Sequence, residues 1–169
     1  TLSLGVGNDK LVVDTTGANI AAATLNSVEA VDLANNVSIT TSLVNNALLA
    51  AALGTNTVTL SAAGTASGAA EVENYVLANG SNSFTLGASA QNVSGGSGDD
   101  ALTSGALTTV SGTLDGGSGN DTLTMEQSAT LSASLGNIEA VDLANNVNLT
   151  TSIANNALIA TALGNNTVT

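Results

Sequence analysis

The chain has no cysteine, proline, histidine or tryptophan, and only one tyrosine, one phenylalanine and one methionine among 169 residues. Without cysteine there is no disulfide framework. Without histidine, cysteine or arginine, nucleophile–base pairs lack a base that titrates near neutrality, so catalysis is not expected. Basic side chains are almost missing too: Lys10 stands alone against 13 acids, for a net charge of −12. Nucleic-acid binding needs lysine and arginine to displace counterions, and an anionic membrane surface asks for the same. No apolar run reaches the roughly 18 residues that a membrane span requires, and no signal peptide is visible. The shortage of aromatics leaves little to fill a thick core. Small aliphatic and β-branched residues suit thin stacked layers instead, and the 43% hydrophobic content is too high for an acidic disordered tail.

Glycine and acid are present in a pattern. Gly95-Gly96-Ser97-Gly98-Asp99-Asp100-Ala101-Leu102 is followed 21 residues later by Gly116-Gly117-Ser118-Gly119-Asn120-Asp121-Thr122-Leu123. Each run is a glycine-rich bend that carries a carboxylate and leads into a short strand. Glycines allow the sharp turn and let carbonyls point inward. The Asp two places after the last glycine adds a hard charged oxygen, and such a donor set suits Ca²⁺. This is the nonapeptide pattern G-G-x-G-x-D-x-U-x of calcium-binding β-helix repeats. The bland alternative is that the 13 acids keep an extracellular surface soluble. For the acids inside the bends, metal is the better reading.

A long repeat overlies the bends. Residues 29–59 recur at 139–169, an offset of 110, with 24 of 31 positions identical. Three of the differences exchange leucine and isoleucine (Ile39/Leu149, Leu43/Ile153, Leu49/Ile159), as expected for side chains that face a core. Upstream, Gly7-Asn8-Asp9 matches Gly119-Asn120-Asp121. A nine-residue frame between apolar residues lies beneath this unit: Leu2–Leu11, Leu49–Val58, Tyr75–Phe84, Val93–Leu102, Leu114–Leu123 and Ile159–Val168. Three frames hold Asp (Asp9, Asp100, Asp121) and three hold Asn (Asn56, Asn82, Asn166).

The spacing fits coils of about 20 residues. The expected fold is all-β: a parallel β-solenoid, β-roll or β-helix, continuous over residues 1–169, with its strongest bends in 93–123. Alternating strands are expected at Ala30–Leu33, Val37–Thr40, Thr57–Leu60 and Phe84–Leu86. The Ala-rich stretch Leu43–Leu53 has high helix propensity but reads as one more coil, with room for a single helical turn. The pairs Asn35-Asn36, Asn45-Asn46, Asn145-Asn146 and Asn155-Asn156 suit left-handed turns and stacked amide ladders. Glu29/Asp32 and Glu139/Asp142 are expected to form a solvent-facing or ion-bridging row. The chain opens and closes inside a repeat, which reads as a piece of a longer protein.

The runs GGSGDDAL and GGSGNDTL resemble the RTX nonapeptide repeats of secreted bacterial proteins. That resemblance implies a β-roll with calcium between adjacent bends, held by backbone carbonyls and Asp. It also implies type I export and folding on contact with extracellular calcium. Gly95, Gly96, Gly98 and Asp100 would belong to one calcium bend, and Gly116, Gly117, Gly119 and Asp121 to the next. Gly5, Gly7 and Asp9 would form a third, degraded by Leu4. Typical members place their nonapeptides in tandem. Here the good bends come once per coil, so few ions are expected. The Ala-, Thr-, Asn- and Val-rich remainder is similar to bacterial S-layer proteins and large surface adhesins.

The resulting expectation is an extracellular, self-associating structural solenoid with Ca²⁺ as its cofactor, part of a surface layer, filament or adhesin stalk. It would contact no nucleic acid and insert in no membrane. The alternative is a polysaccharide- or ice-binding module. Ice would want a flat rank of threonines, for which Thr40-Thr41, Thr57/Thr59 and Thr150-Thr151 offer fragments.

Overall fold

The computed structural model describes the backbone of residues 1–169 and every side chain except that of Ile153. Ile153, one partner of the Leu43/Ile153 exchange, therefore lies outside the described side chains. The chain winds into a β-solenoid of about 9 stacked coils, in which the strand pairings are parallel. Strands in register are separated by between 17 residues (Val58↔Tyr75) and 23 residues (Leu2↔Leu25).

Each coil visits three faces in turn. The first face begins with Leu2–Ser3 and Leu25–Asn26. It continues as a six-stranded sheet of Thr65–Ser67, Ser83–Thr85, Ala101–Thr103, Thr122–Met125, Ala140–Leu143 and Ile159–Ala162. The second face carries Lys10–Val13, Ala30–Leu33 and Leu49–Ala52. After two coils without a strand it resumes with Thr109–Val110, Ala129–Leu131, Asn148–Thr151 and Thr167–Val168. The third face is an unbroken seven-stranded sheet, from Ala18–Asn19 through Ser38–Thr41, Thr57–Leu60, Asn74–Val76, Asn92–Ser94 and Thr113–Asp115 to Ser134–Gly136.

Strand alternation sends one residue inward and the next outward, and the register stacks like over like. Val58, Tyr75, Val93, Leu114 and Leu135 form one inward row. Ala66, Phe84, Leu102, Leu123 and Val141 form another. Both rows join a single apolar core. The two aromatics meet inside it, with ring centroids 4.9 Å apart. Ile39 and Leu149, exchanged between the long repeats, are both buried.

The expected helical turn is present. Leu43–Asn46 forms one turn, capped where Ser42 Oγ accepts from the Asn45 N–H at 3.1 Å, and the chain returns to strand at Leu49–Ala52. The turn fills the first-face place between Leu25–Asn26 and Thr65–Ser67. From there Asn45 Nδ2 donates to the carbonyls of Ile20 and Ala23, and Asn46 Nδ2 to that of Ser67. These asparagines cap loose carbonyls and form no amide ladder. An amide pair does occur between Asn92 and Asn74, at 2.9 Å. Asn36 and Asn146 are left-handed, as their place in the bends requires.

Local structure in the long repeat follows sequence closely. The same bulge interrupts Val31/Asp32 and Val141/Asp142, and Gly54 and Gly164 share φ values of 76° and 74°. The two copies nevertheless occupy different faces. Ala30–Leu33 lies on the second face and Ala140–Leu143 on the first; Ser38–Thr41 lies on the third and Asn148–Thr151 on the second. The 110-residue unit therefore spans five and two-thirds coils, and its copies are turned relative to each other by one face. The nine-residue frames likewise bridge a corner between faces. Only Tyr75–Phe84, Val93–Leu102 and Leu114–Leu123 stack on one another, at the corner from third face to first.

Candidate metal centre in the stacked glycine bends

Every Asp or Asn of the nine-residue frames sits immediately before a strand, and that position has a fixed job. Where a coil lies beneath, its side chain accepts a hydrogen bond from a main-chain N–H of that coil. At the corner from third to first face, Asn82 Oδ1 accepts from Gly64 N–H at 3.3 Å and Asp100 Oδ1 from Asn82 N–H at 2.8 Å. Asp121 Oδ1 then accepts from Asp100 N–H, and Glu139 Oε2 from Asp121 N–H, each at 2.7 Å. One continuous ladder of side chains thus climbs four coils. Shorter versions run at the other corners: Val37 N–H to Asn56 Oδ1, Asn56 N–H to Glu73 Oε2, Asp9 N–H to Glu29 Oε2 and Val147 N–H to Asn166 Oδ1.

Asp and Asn use their second atom differently. Asn82 Nδ2 donates to the carbonyls of Ala78 and Gly80 in its own bend, at 2.9 and 2.7 Å, and to Asp100 Oδ1 at 2.8 Å. Asn56 Nδ2 and Asn166 Nδ2 donate to the carbonyls of Leu53 and Leu163. Asp100 and Asp121 use their first oxygen in the same role, but their second carries no proton and cannot donate to a carbonyl as an amide nitrogen does. Asp100 Oδ2 and Asp121 Oδ2 are accordingly buried without a partner, on residues 1% and 0% exposed. A buried, unpaired acceptor of this kind carries a desolvation cost of several kcal/mol unless a cation or proton meets it.

The glycines let oxygens from two coils approach the same point. A side chain at Gly95 would overlap the Gly116 carbonyl and Asp100 Oδ2. One coil up, a side chain at Gly116 would overlap the Asn137 carbonyl and Asp121 Oδ2. Each glycine is thus approached by a carboxylate oxygen from its own bend and a backbone carbonyl from the next. Gly96, Gly98, Gly117 and Gly119 all have positive φ, which turns the bend tightly at the corner. Burial lifts the Asp100 carboxyl above its ordinary range; hydrogen bonds from Asn82 oppose this, and the charges of Asp121 and Asp99 add to it. Among the described residues no three acidic side chains converge. The donors here are mixed, one carboxylate with backbone carbonyls, which is oxygen-only chemistry of the kind Ca²⁺ accepts. Each bend gathers two oxygens of the kind that ion binds.

The third bend stands apart. Gly5, Gly7 and Asp9 lie at the corner from first face to second, in the first coil. Asp9 Oδ2 is buried and unpartnered, but no atom crowds the side-chain space at Gly5 and the nearest at Gly7 is 3.7 Å away. The structure brings Gly95–Asp100 and Gly116–Asp121 together and leaves this bend on another edge.

Sequence reasoning missed Asn82 and Glu139 as rungs of the ladder and Asn137 as the source of the carbonyl beside Asp121. The available signal was position: Glu139-Ala140-Val141 places an acid before its strand just as Asp100-Ala101-Leu102 does. Of the four acids expected to form a solvent-facing or ion-bridging row, Glu29 and Glu139 belong to ladders, Asp32 pairs with Lys10 Nζ at 2.7 Å, and Asp142 Oδ1 is buried without a partner. Elsewhere, a groove of about 540 Å³ beside the helical turn is lined by alanines, Leu25, Val28 and Val44 with no titratable group. Compared with protein-family models, with curated proteins and with solved structures, the chain matches none.

Proposed function

We propose that this chain is a structural element: a calcium-stabilised β-solenoid of a bacterial surface layer, filament or adhesin stalk, working outside the cell after type I export. The observation that carries the reading is the pair of orphaned, buried oxygens, Asp100 Oδ2 and Asp121 Oδ2, each packed against a bend glycine that a carbonyl of the next coil also approaches. Calcium there would offset the charge of both carboxylates and tie one coil to the next. Folding would then be coupled to a calcium-rich medium. Stacked parallel strands supply a stiff rod, on the order of 40 Å for nine coils at about 4.8 Å each. The near absence of lysine and arginine argues against nucleic acid as a partner, and bound calcium would reduce the repulsion between acidic copies of the chain packed side by side or end to end. The reading assigns no catalysis.

Circular dichroism and small-angle scattering in calcium and in chelator test it. An elongated β-rich particle in calcium that loses β signal on chelation is expected. Identical spectra and shape in both conditions overturn the calcium part and leave a metal-independent solenoid.

Ice binding has one observation in its favour. Ser67, Thr85, Thr103 and Thr124 stand in register on the outside of the first face, with Thr85 and Thr103 hydroxyls 3.0 Å apart. Asp142 interrupts the rank one coil above. These are not the threonines that sequence suggested. Ice-recrystallisation inhibition by the folded chain would favour this reading over the structural one.

A further inference from the structure

The seam of carboxylates stops at a definite residue. Asp121 and Asp100 are followed downward, in the same ladder and at the same pre-strand position, by Asn82. Asn82 is buried too, at 5% exposure, yet no atom of it is orphaned. Its Nδ2 reaches two carbonyls of its own bend and the first oxygen of Asp100. An amide nitrogen carries two protons and a partial positive charge, and here it touches three oxygens. That is the service a cation gives to a cluster of carbonyl and carboxylate oxygens.

We propose that Asn82 terminates the metal seam: its side-chain nitrogen meets, in its own coil, the bend carbonyls and the neighbouring carboxylate that would otherwise call for a divalent cation, as Asp100 and Asp121 do in theirs. The inference rests on the calcium reading and extends it by saying where binding stops and why. Asp and Asn are nearly the same shape, so the ladder keeps its Oδ1 rung beneath Asp100 while that coil needs no ion. Asn56 and Asn166 repeat the device at other corners, each with its NH₂ on a bend carbonyl and its Oδ1 on a main-chain N–H. The rod is thereby divided. Coils closed by asparagine are self-sufficient at those corners, and the coils of Asp100 and Asp121 depend on cations.

The test is Asn82→Asp in the full chain, with calcium counted by native mass spectrometry and thermal unfolding followed in calcium and in chelator. The variant should bind one more ion per chain than the parent. It should unfold at a lower temperature than the parent in chelator and recover in calcium, because its new oxygen faces Ala78 and Gly80 carbonyls with no proton to offer. An unchanged ion count, with unfolding that calcium does not restore, overturns the inference while the parent's own binding stands. A parent that holds no calcium removes the underlying reading and the inference with it. Should Asn82→Asp not fold, Asp100→Asn decides. One ion fewer and greater resistance to chelator support the proposal; an unchanged count and unchanged resistance overturn it.

Discussion

The main-chain N–H of Asp100 donates to Oδ1 of Asp121, one coil above, at 2.7 Å. Twenty-one residues of chain separate the two, yet their carboxylates become consecutive rungs of one ladder. Asp121 in turn leans on Glu139. The ladder does the work of a continuous sheet at a corner where the chain turns and strand pairing lapses, since buried main-chain donors need acceptors there as elsewhere.

Glu139 tests that role without involving metal. Glu139→Ala leaves the N–H of buried Asp121 without its acceptor and should cost about 1–3 kcal/mol of stability. Glu139→Gln keeps an acceptor oxygen and should cost less than half as much. Urea denaturation of both variants in chelator checks the difference. Equal losses would mean that the charge, and not the hydrogen bond, is what matters at this rung.

Gly95 and Gly116 should be intolerant of a single added methyl. At either position the Cβ would collide with a backbone carbonyl of the next coil, which cannot swing aside as a flexible side chain can. Gly95→Ala and Gly116→Ala should each destabilise the protein by several kcal/mol, the range of overpacked and strained sites, and should blunt its response to calcium. Gly136→Ala is the control. Its Cβ would make ordinary contact, no closer than 3.6 Å to Asp115, and its φ is unexceptional. Its unfolding midpoint should stay near that of the parent.

Tyr75 should titrate late. Burial raises its phenol from 10.0 to about 12, against a lowering hydrogen bond from the Ala69 N–H. Between those values the folded protein keeps a proton that the unfolded chain has lost. Stability therefore falls as pH rises from about 10 to about 12, by roughly 2–3 kcal/mol in all. Because the chain has one tyrosine and no tryptophan, the ultraviolet absorbance of tyrosinate reads this group alone. Ionisation near pH 10 in the folded state would show that the Tyr75–Asn46 pairing is open to solvent.

Inward rows were legible before any coordinates, because alternation in segments such as Ala30–Leu33 and Thr57–Leu60 leaves one choice of buried side. The bends were legible from glycine spacing, which marks where the chain must turn. In sequence Asn82 reads only as one of three asparagines at the Asp position; in the fold its hydrogen bonds are complete. Its partners lie in its own bend and one coil away, and spacing alone does not reveal which oxygens its nitrogen meets. The placement of Gly5, Gly7 and Asp9 was hidden for a similar reason. Their resemblance to Gly117, Gly119 and Asp121 is local, whereas the edge of the rod on which they fall depends on the summed lengths of every intervening coil.

That one-face turn between copies of the long unit has a consequence for any assembly built from it. In a tandem array, features carried by each unit would trace a spiral, returning to the same side only after three units. At five and two-thirds coils apiece this is about 17 coils, on the order of 80 Å. A neighbour lying alongside would meet matching chemistry at that wide interval and dissimilar chemistry between. Such a fibre would engage its surroundings evenly from all directions instead of presenting a sticky side.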